Sequence, residues 1–77
     1  MSRAYILLSV NSPHKVKETV SHLSRKNGVK SAEAVCGPYD IIAVIEGQDL
    51  KDLSNTVIHD LHDLGYLHDS TTCIVVE

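Results

Sequence analysis

The chain has 77 residues, of which 43% are hydrophobic and 4% aromatic, and a formal net charge of −3. This length allows one domain with a thin core. The apolar content excludes a disordered chain, and the acidic balance argues against nucleic acid as the main partner. No apolar run approaches the ~20 residues that span a bilayer, and the N-terminal residues lack a signal-peptide pattern. We therefore expect a small cytoplasmic domain.

The first predicted element is a strand over residues 3–10 with apolar residues on both faces. Alternate strand residues share a face: Ile6, Leu8 and Val10 on one side, Tyr5 and Leu7 on the other. A helix is predicted next, capped by Ser12, with Pro13 at its first position and its end near residue 27, before Gly28. Its apolar stripe comprises Val16, Val20 and Leu23.

Two strands are predicted in the middle of the chain. The segment 29–36 is polar and gives the weaker strand, whereas the segment 41–46 is apolar on both faces. Asp49 can cap a second helix that Gly65 ends. Its apolar stripe comprises Leu50, Leu53, Val57, Leu61 and Leu64. A last strand is predicted from about residue 69 to residue 76.

The resulting order, βαββαβ, predicts an α+β fold. Right-handed crossovers put both helices on one face of a single antiparallel sheet, with the ferredoxin-like strand order 4-1-3-2. The other face would expose several hundred Å² of apolar surface, which at roughly 25 cal/mol per Å² amounts to several kcal/mol. We therefore predict a homodimer packed sheet to sheet, which is a dimeric α/β barrel.

The two cysteines, Cys36 and Cys73, fall in the two predicted edge strands. Edge strands of a four-stranded sheet lie roughly 14 Å apart, which is too far for a disulfide. Since neither cysteine has a metal-site spacing, we expect two buried, reduced thiols.

The positions of the charged residues and histidines leave alternatives open for assembly and for metal binding. Six of the seven basic residues lie at or before Lys30, and nine of the ten acidic residues follow it. This separation fits either ordinary solvated faces or charge-guided assembly. His59, His62 and Asp63 could hold a metal ion. The favoured interpretation is a polar helix face with a weak His59–Asp63 pair, so no metal or other cofactor is predicted.

The segment Gly37-Pro38-Tyr39-Asp40 joins the two middle strands. A glycine-led turn there would group backbone amides, an aromatic ring and a carboxylate at a sheet edge. With the βαββαβ order, the Asp49-to-Leu53 opening of the second helix and the hydroxyl-rich last strand, the chain resembles the effector-binding (RAM) domain of the Lrp/AsnC family of transcription regulators.

The resemblance covers all 77 residues as one effector-binding and oligomerisation domain. It implies dimers formed through the sheets, higher assemblies such as octamers or rings, and an amino acid or related small molecule bound between dimers. The implied effector-binding residues are Gly37, Tyr39, Asp40, Ser70, Thr71 and Thr72. Since no helix-turn-helix segment precedes the first strand, we expect no direct DNA binding, but hetero-assembly with full-length family regulators is compatible with the resemblance.

Alternatives to this function stay open at the level of sequence. Small α/β-barrel enzymes such as monooxygenases share the fold, although no nucleophile with an adjacent base is recognisable and we predict no enzyme activity. Amino-acid-binding modules of the ACT type share the element order. Purely structural roles are alternatives for Gly37 in turn geometry, for Asp40 in bonding turn amides, and for the threonines as strand formers.

Overall fold

The computed structural model describes residues 2–63, 65 and 67–76. It contains the predicted elements in the predicted order. They are β1 (Ser2–Val10), a 3₁₀ turn (Pro13–Lys15), α1 (Val16–Ser24), β2 (Val29–Ala34), β3 (Ile41–Gly47), α2 (Leu50–Asp63) and β4 (Leu67–Ile74). Neither helix in this described part of the chain is long and apolar enough to cross a bilayer.

The four strands form one sheet in the order β2-β3-β1-β4, and every neighbouring pair is antiparallel. This is the predicted ferredoxin-like order. The central strand β1 places Tyr5 between Val44 of β3 and Cys73 of β4. Directly opposed residues of antiparallel strands point to the same face, so this register assigns side chains on all of these strands to one side or the other.

The core lies between the sheet and the two helices. The sheet contributes alternate residues of its two central strands, and the helices contribute their apolar stripes. The buried apolar residues are Ala4, Ile6, Leu8, Leu23, Ile41, Ala43, Ile45, Leu50, Val57 and Leu61. Val10, Val16 and Val20 pack against this core as partly buried residues.

The first helix differs from its prediction at both ends. Ser12 occupies the N-cap position with extended backbone, but its side chain makes no capping bond, and the helix opens with a 3₁₀ turn. The α-helix ends at Ser24, three residues early, because the Arg25 and Lys26 amides bond back to His22 and Leu23 in tight turns. These bonds compress the last turn.

The second helix confirms its predicted cap. The Asp52 amide donates to Asp49 Oδ1 at 3.1 Å, which satisfies one of the unpaired first-turn amides. Leu53 is only partly buried, and Leu64 lies outside the described residues. Ser54 is buried on the inner face and shares a hydrogen bond with the Thr72 hydroxyl at 2.8 Å. Lys26 and Asp60 form an ion pair between the turn after α1 and the side of α2.

The expectation of buried thiols was wrong. Cys36 and Cys73 are both exposed and both free. β2 ends at Ala34, so Cys36 lies in the following turn rather than in a strand. Cys73 lies on an edge strand, on the face of the sheet that the helices do not cover.

Candidate functional site

The sheet has one face without a helix over it, which we call the open face. Register assigns to it the residues that alternate with the core residues. Its central side chains are Tyr5, Leu7, Ile42, Val44, Thr71 and Cys73. Tyr5 is 38% exposed, and the other apolar members on β1 and β3 are only partly covered by their neighbours. The face therefore has an apolar centre in contact with solvent.

The β2–β3 turn, residues 35–40, lies at one end of this face. Two backbone bonds define it: the Val35 amide donates to the Asp40 carbonyl, and the Asp40 amide donates to the Leu8 carbonyl, both at 2.8 Å. Gly37 has φ 153°, and a Cβ there would meet no atom within 4 Å. Glycine is therefore favoured by the backbone conformation, not by lack of space.

Asp40 has a structural role in the single chain. Its Oδ2 accepts a hydrogen bond from the Val10 amide at 3.0 Å and one from the Ser9 hydroxyl at 3.4 Å. The carboxylate thus provides a hydrogen-bond acceptor for a backbone amide at the end of β1, where the register with β4 becomes irregular. This geometry favours the structural alternative for Asp40.

The structure brings Tyr39 and Thr71 together. The Tyr39 hydroxyl lies 2.8 Å from Thr71 Oγ1, and the bond is partly buried. Tyr39 precedes β3, whereas Thr71 lies on β4, on the other side of β1. The Tyr39 side chain therefore crosses β1 to reach its partner. This contact joins the turn to the last strand over the open face.

Ser70 and Thr72 lie on the opposite side of the sheet from Thr71. Ser70 is paired in register with buried Leu8, and Thr72 bonds the inward-facing Ser54 of α2. The six predicted residues are thus divided. Thr71 lies on the open face and Tyr39 bonds it there, Gly37 is exposed in the turn, Asp40 bonds the end of β1, and Ser70 and Thr72 face the helices.

Sequence reasoning missed Ser9 and Asp69 at this corner. Ser9 pairs in register with Asp69, which alternates with Thr71 along β4 and so shares its face. Asp69 is exposed, and its Oδ1 accepts the Ser70 amide at 2.9 Å. The sequence contained partial information about this contact. The predicted pairing of the first and last strands already brings the end of β1 next to the start of β4.

Charges at the other end of the open face are paired. Glu46 accepts bonds from Arg3 Nη2 at 2.9 Å and from Lys30 at 3.1 Å. Hydrogen bonds from Arg3, and then from Lys30, hold the pKa of the Glu46 carboxyl below its usual value. The pKa of Arg3 is raised, chiefly by the same hydrogen bond to Glu46.

The described residues contain no group of three or more side chains arranged to hold a metal ion. The His59–Asp63 pair is present at 3.6 Å on the exposed side of α2. Two open surface depressions, of about 260 and 270 Å³, lie at the start of α2 and beside Glu46, away from the β2–β3 turn. The turn corner is thus a rim of hydroxyls and carboxylates beside an apolar face.

The fold is shared with solved structures of transcription regulators. Escherichia coli AsnC superposes with a TM-score of 0.82 at 17% identity, covering 99% of this chain and 51% of that one. The chain has the fold of the Lrp/AsnC proteins. This confirms the resemblance inferred from the sequence. The Lrp/AsnC fold is also seen in the Neisseria meningitidis regulator NMB0573, solved with L-Met, which has a TM-score of 0.78 at 19% identity and covers 99% of this chain and 50% of that one.

Two further similar proteins are not described as transcription regulators. The hypothetical protein PHS023 from Pyrococcus horikoshii has a TM-score of 0.82 at 28% identity and covers 100% of this chain and 92% of that one. A glutamine synthetase and cystathionine beta-lyase binding protein of Thermus thermophilus is 35% identical over 52 residues, which are 65% of this chain and 55% of the relative. The chain spans about half the length of this curated relative. No family model matches the chain.

Proposed function

We propose that this chain binds an amino acid or related small molecule and modulates a transcription regulator in the cytoplasm, without catalysing a reaction. The observation that carries the proposal is the Tyr39–Thr71 contact, 2.8 Å long, in an Lrp/AsnC fold. This contact joins the turn to the last strand, and it supports the effector site that the family resemblance implies. The L-Met complex of NMB0573 supports an amino acid as the class of ligand.

The chemistry of the corner suits a zwitterion. Hydroxyls of Tyr39 and Thr71 and the exposed amides near Gly37 can donate to a carboxylate. An ammonium group needs an acceptor, and we assign that role to Asp69, which is exposed on the same face as Thr71. Asp40 is a less suitable acceptor because it is half-buried and its Oδ2 accepts two bonds, from the Val10 amide and the Ser9 hydroxyl. Asp69 is exposed, and its Oδ1 accepts one bond, from the Ser70 amide.

The proposal includes self-association through the open face. That face carries Tyr5, Leu7, Ile42 and Val44 beside exposed Cys73, and a second copy packed on it would remove this apolar surface from water. Larger rings and mixed assemblies with full-length regulators would build on such dimers. The charge-paired Arg3–Glu46 end and the hydroxyl-rich Thr71 end would then form the rims of the interface.

The test is a calorimetric screen of the L-amino acids, run with light scattering on the eluting protein. We expect one ligand class to bind and an oligomer to elute. Asp69→Asn should weaken the affinity for that ligand by roughly tenfold through loss of a charged acceptor. The matched control is Asp63→Asn on exposed α2, which should leave the affinity unchanged. If no amino acid binds, or if both variants bind equally well, the proposed site is wrong; turnover of a substrate would overturn the non-enzyme proposal.

A second candidate function is direct binding of a metabolic enzyme. The Thermus thermophilus relative is described as binding glutamine synthetase and cystathionine beta-lyase, and 52 aligned residues of this chain are 35% identical to it. The test is titration of this chain with the purified glutamine synthetase and cystathionine beta-lyase of its own organism. Saturable binding of either enzyme in the absence of any amino acid would favour this candidate over the first.

A further inference from the structure

Among the residues that the structure describes, few hydrogen bonds connect the β2–β3 turn to the sheet. Its four residues between β2 and Tyr39 are all exposed, from Val35 to Pro38. The Asp40 amide and carboxylate fix the base of the turn to the end of β1. Beyond that base, the tie across the sheet is the hydrogen bond between the Tyr39 and Thr71 hydroxyls.

The path of this bond brings the Tyr39 hydroxyl to the face that we propose for self-association. Thr71 is paired in register with Leu7, which lies on the open face, so the Thr71 hydroxyl is on that face as well. Tyr39 reaches it from the β3 side of β1. Its hydroxyl therefore lies beside the row formed by Thr71, Leu7 and Ile42, at the edge of the apolar centre. Movement of this ring would alter the shape of the surface offered to a second copy.

The strength of the tie is that of one neutral hydrogen bond. Such a bond shifts an equilibrium by roughly twofold to tenfold once competition with water is included. A group that donates to or accepts from either hydroxyl can therefore replace it at little net cost. The bond is thus suited to exchange partners, unlike the Asp40 carboxylate, which bonds a backbone amide at the end of β1.

We propose that Tyr39 and Thr71 form a latch, whose closed state orders the β2–β3 turn against the open face and whose opening weakens packing of a second copy on that face. This inference rests on the proposed assembly of the domain and adds the means of its regulation. Tyr39 and Thr71 act here as positioning residues. A ligand that takes over either hydroxyl would change the self-association of the chain through the turn.

The test combines two variants that each remove one hydroxyl, Tyr39→Phe and Thr71→Val, with the double variant. Hydrogen exchange at the Val35 and Asp40 amides reports the turn, because both amides are bonded within its base. Sedimentation equilibrium reports the dimer dissociation constant. We expect each single variant to raise the exchange rate of these amides and the dimer dissociation constant by roughly twofold to tenfold. The double variant should show the same values as the single variants, because both remove the same bond.

Two controls separate the latch from loss of a hydroxyl in general. Thr56→Val removes a hydroxyl that bonds the Asp52 carbonyl on exposed α2, and Tyr5→Phe removes a tyrosine hydroxyl from the open face two residues before Leu7 on β1. Neither should change exchange at Val35 or Asp40.

Three results would overturn the latch: unchanged exchange at the turn, faster exchange with an unchanged dissociation constant, or additive effects in the double variant. A wild-type chain that is already monomeric would overturn the proposed assembly and the latch together, and this is seen before any variant is made.

Discussion

The two faces of the sheet are built from the same strands but differ in what covers them. On β1, Ala4, Ile6 and Leu8 are completely buried, whereas Tyr5, between the first two of them, is 38% exposed. On β3, Ile41 and Ile45 are completely buried, whereas Ile42 is only partly so. The burial of an apolar side chain on these strands, and hence its contribution to stability, therefore depends on which face it occupies. The helices make one face a core, whereas the other face has an apolar centre and no helix over it.

The difference between faces should be largest for deletion of a core side chain. Leu8→Ala removes a completely buried side chain and should lower the free energy of unfolding by roughly 2–5 kcal/mol. Leu7→Ala, its neighbour on the open face, should have a much smaller effect in dilute protein. Denaturant titration at low protein concentration measures both. Equal losses would show that the open face is already part of a core in the single chain.

A charge placed on the open face should act on association. Val44→Asp puts a carboxylate in the apolar centre, where packing of a second copy would bury it, and this should weaken the dimer by roughly tenfold or more. Asn55→Asp on exposed α2 adds the same charge away from the open face and should leave the dissociation constant unchanged. Sedimentation equilibrium measures both. Unchanged association of the Val44 variant would contradict sheet-to-sheet packing.

Two glycines with different surroundings should respond differently to a methyl group. Gly28, in the turn after α1, has φ 90°, and an added Cβ would lie 2.7 Å from Leu53 Cδ2. Gly28→Ala should therefore cost roughly 1–3 kcal/mol through strain and overpacking. Gly37→Ala meets no atom and should cost about 1 kcal/mol or less through backbone conformation alone. Thermal unfolding of both variants measures the two costs. A larger cost for Gly37→Ala than for Gly28→Ala would refute this prediction.

The smallest expected effect is the pH response of the open-face ion cluster. The pKa of Glu46 is lowered in the folded chain by the bond from Arg3 and then by that from Lys30. Its contribution to stability is therefore present above the unfolded pKa, about 4.5, and is lost as the pH falls through the folded value. Denaturant midpoints between about pH 7 and about pH 3 should fall less for Glu46→Gln than for the wild type. Parallel curves would contradict this.

Most of the fold could be predicted from the sequence because its signals are local or follow from chirality. The alternation of Ile6 and Leu8, the Asp49 cap and the glycine at the end of α2 each depend on a few neighbouring residues. Right-handed crossovers then leave one sheet order. Errors arose where a local signal competed with tertiary bonds, as at the end of α1, where tight turns after Ser24 replace the last helical turn.

The candidate site was predicted less completely, because residue type does not show which face a side chain takes. Ser70, Thr71 and Thr72 look equivalent in the sequence, yet only Thr71 shares a face with Leu7. The burial of the cysteines was mispredicted for a related reason. Cys36 falls in a turn once β2 stops at Ala34, and Cys73 falls on the face that has no helix.

The sequence by itself determined the element order, the antiparallel sheet with both helices on one side, and the apolar character of the opposite side. These follow from periodicity, capping residues and the handedness of L-amino-acid chains. Only the tertiary structure decided that Tyr39 meets Thr71 across β1 and that Asp40 bonds the end of that strand. The physical reason is register, because a shift of one residue along β4 would move every one of its hydroxyls to the other face of the sheet.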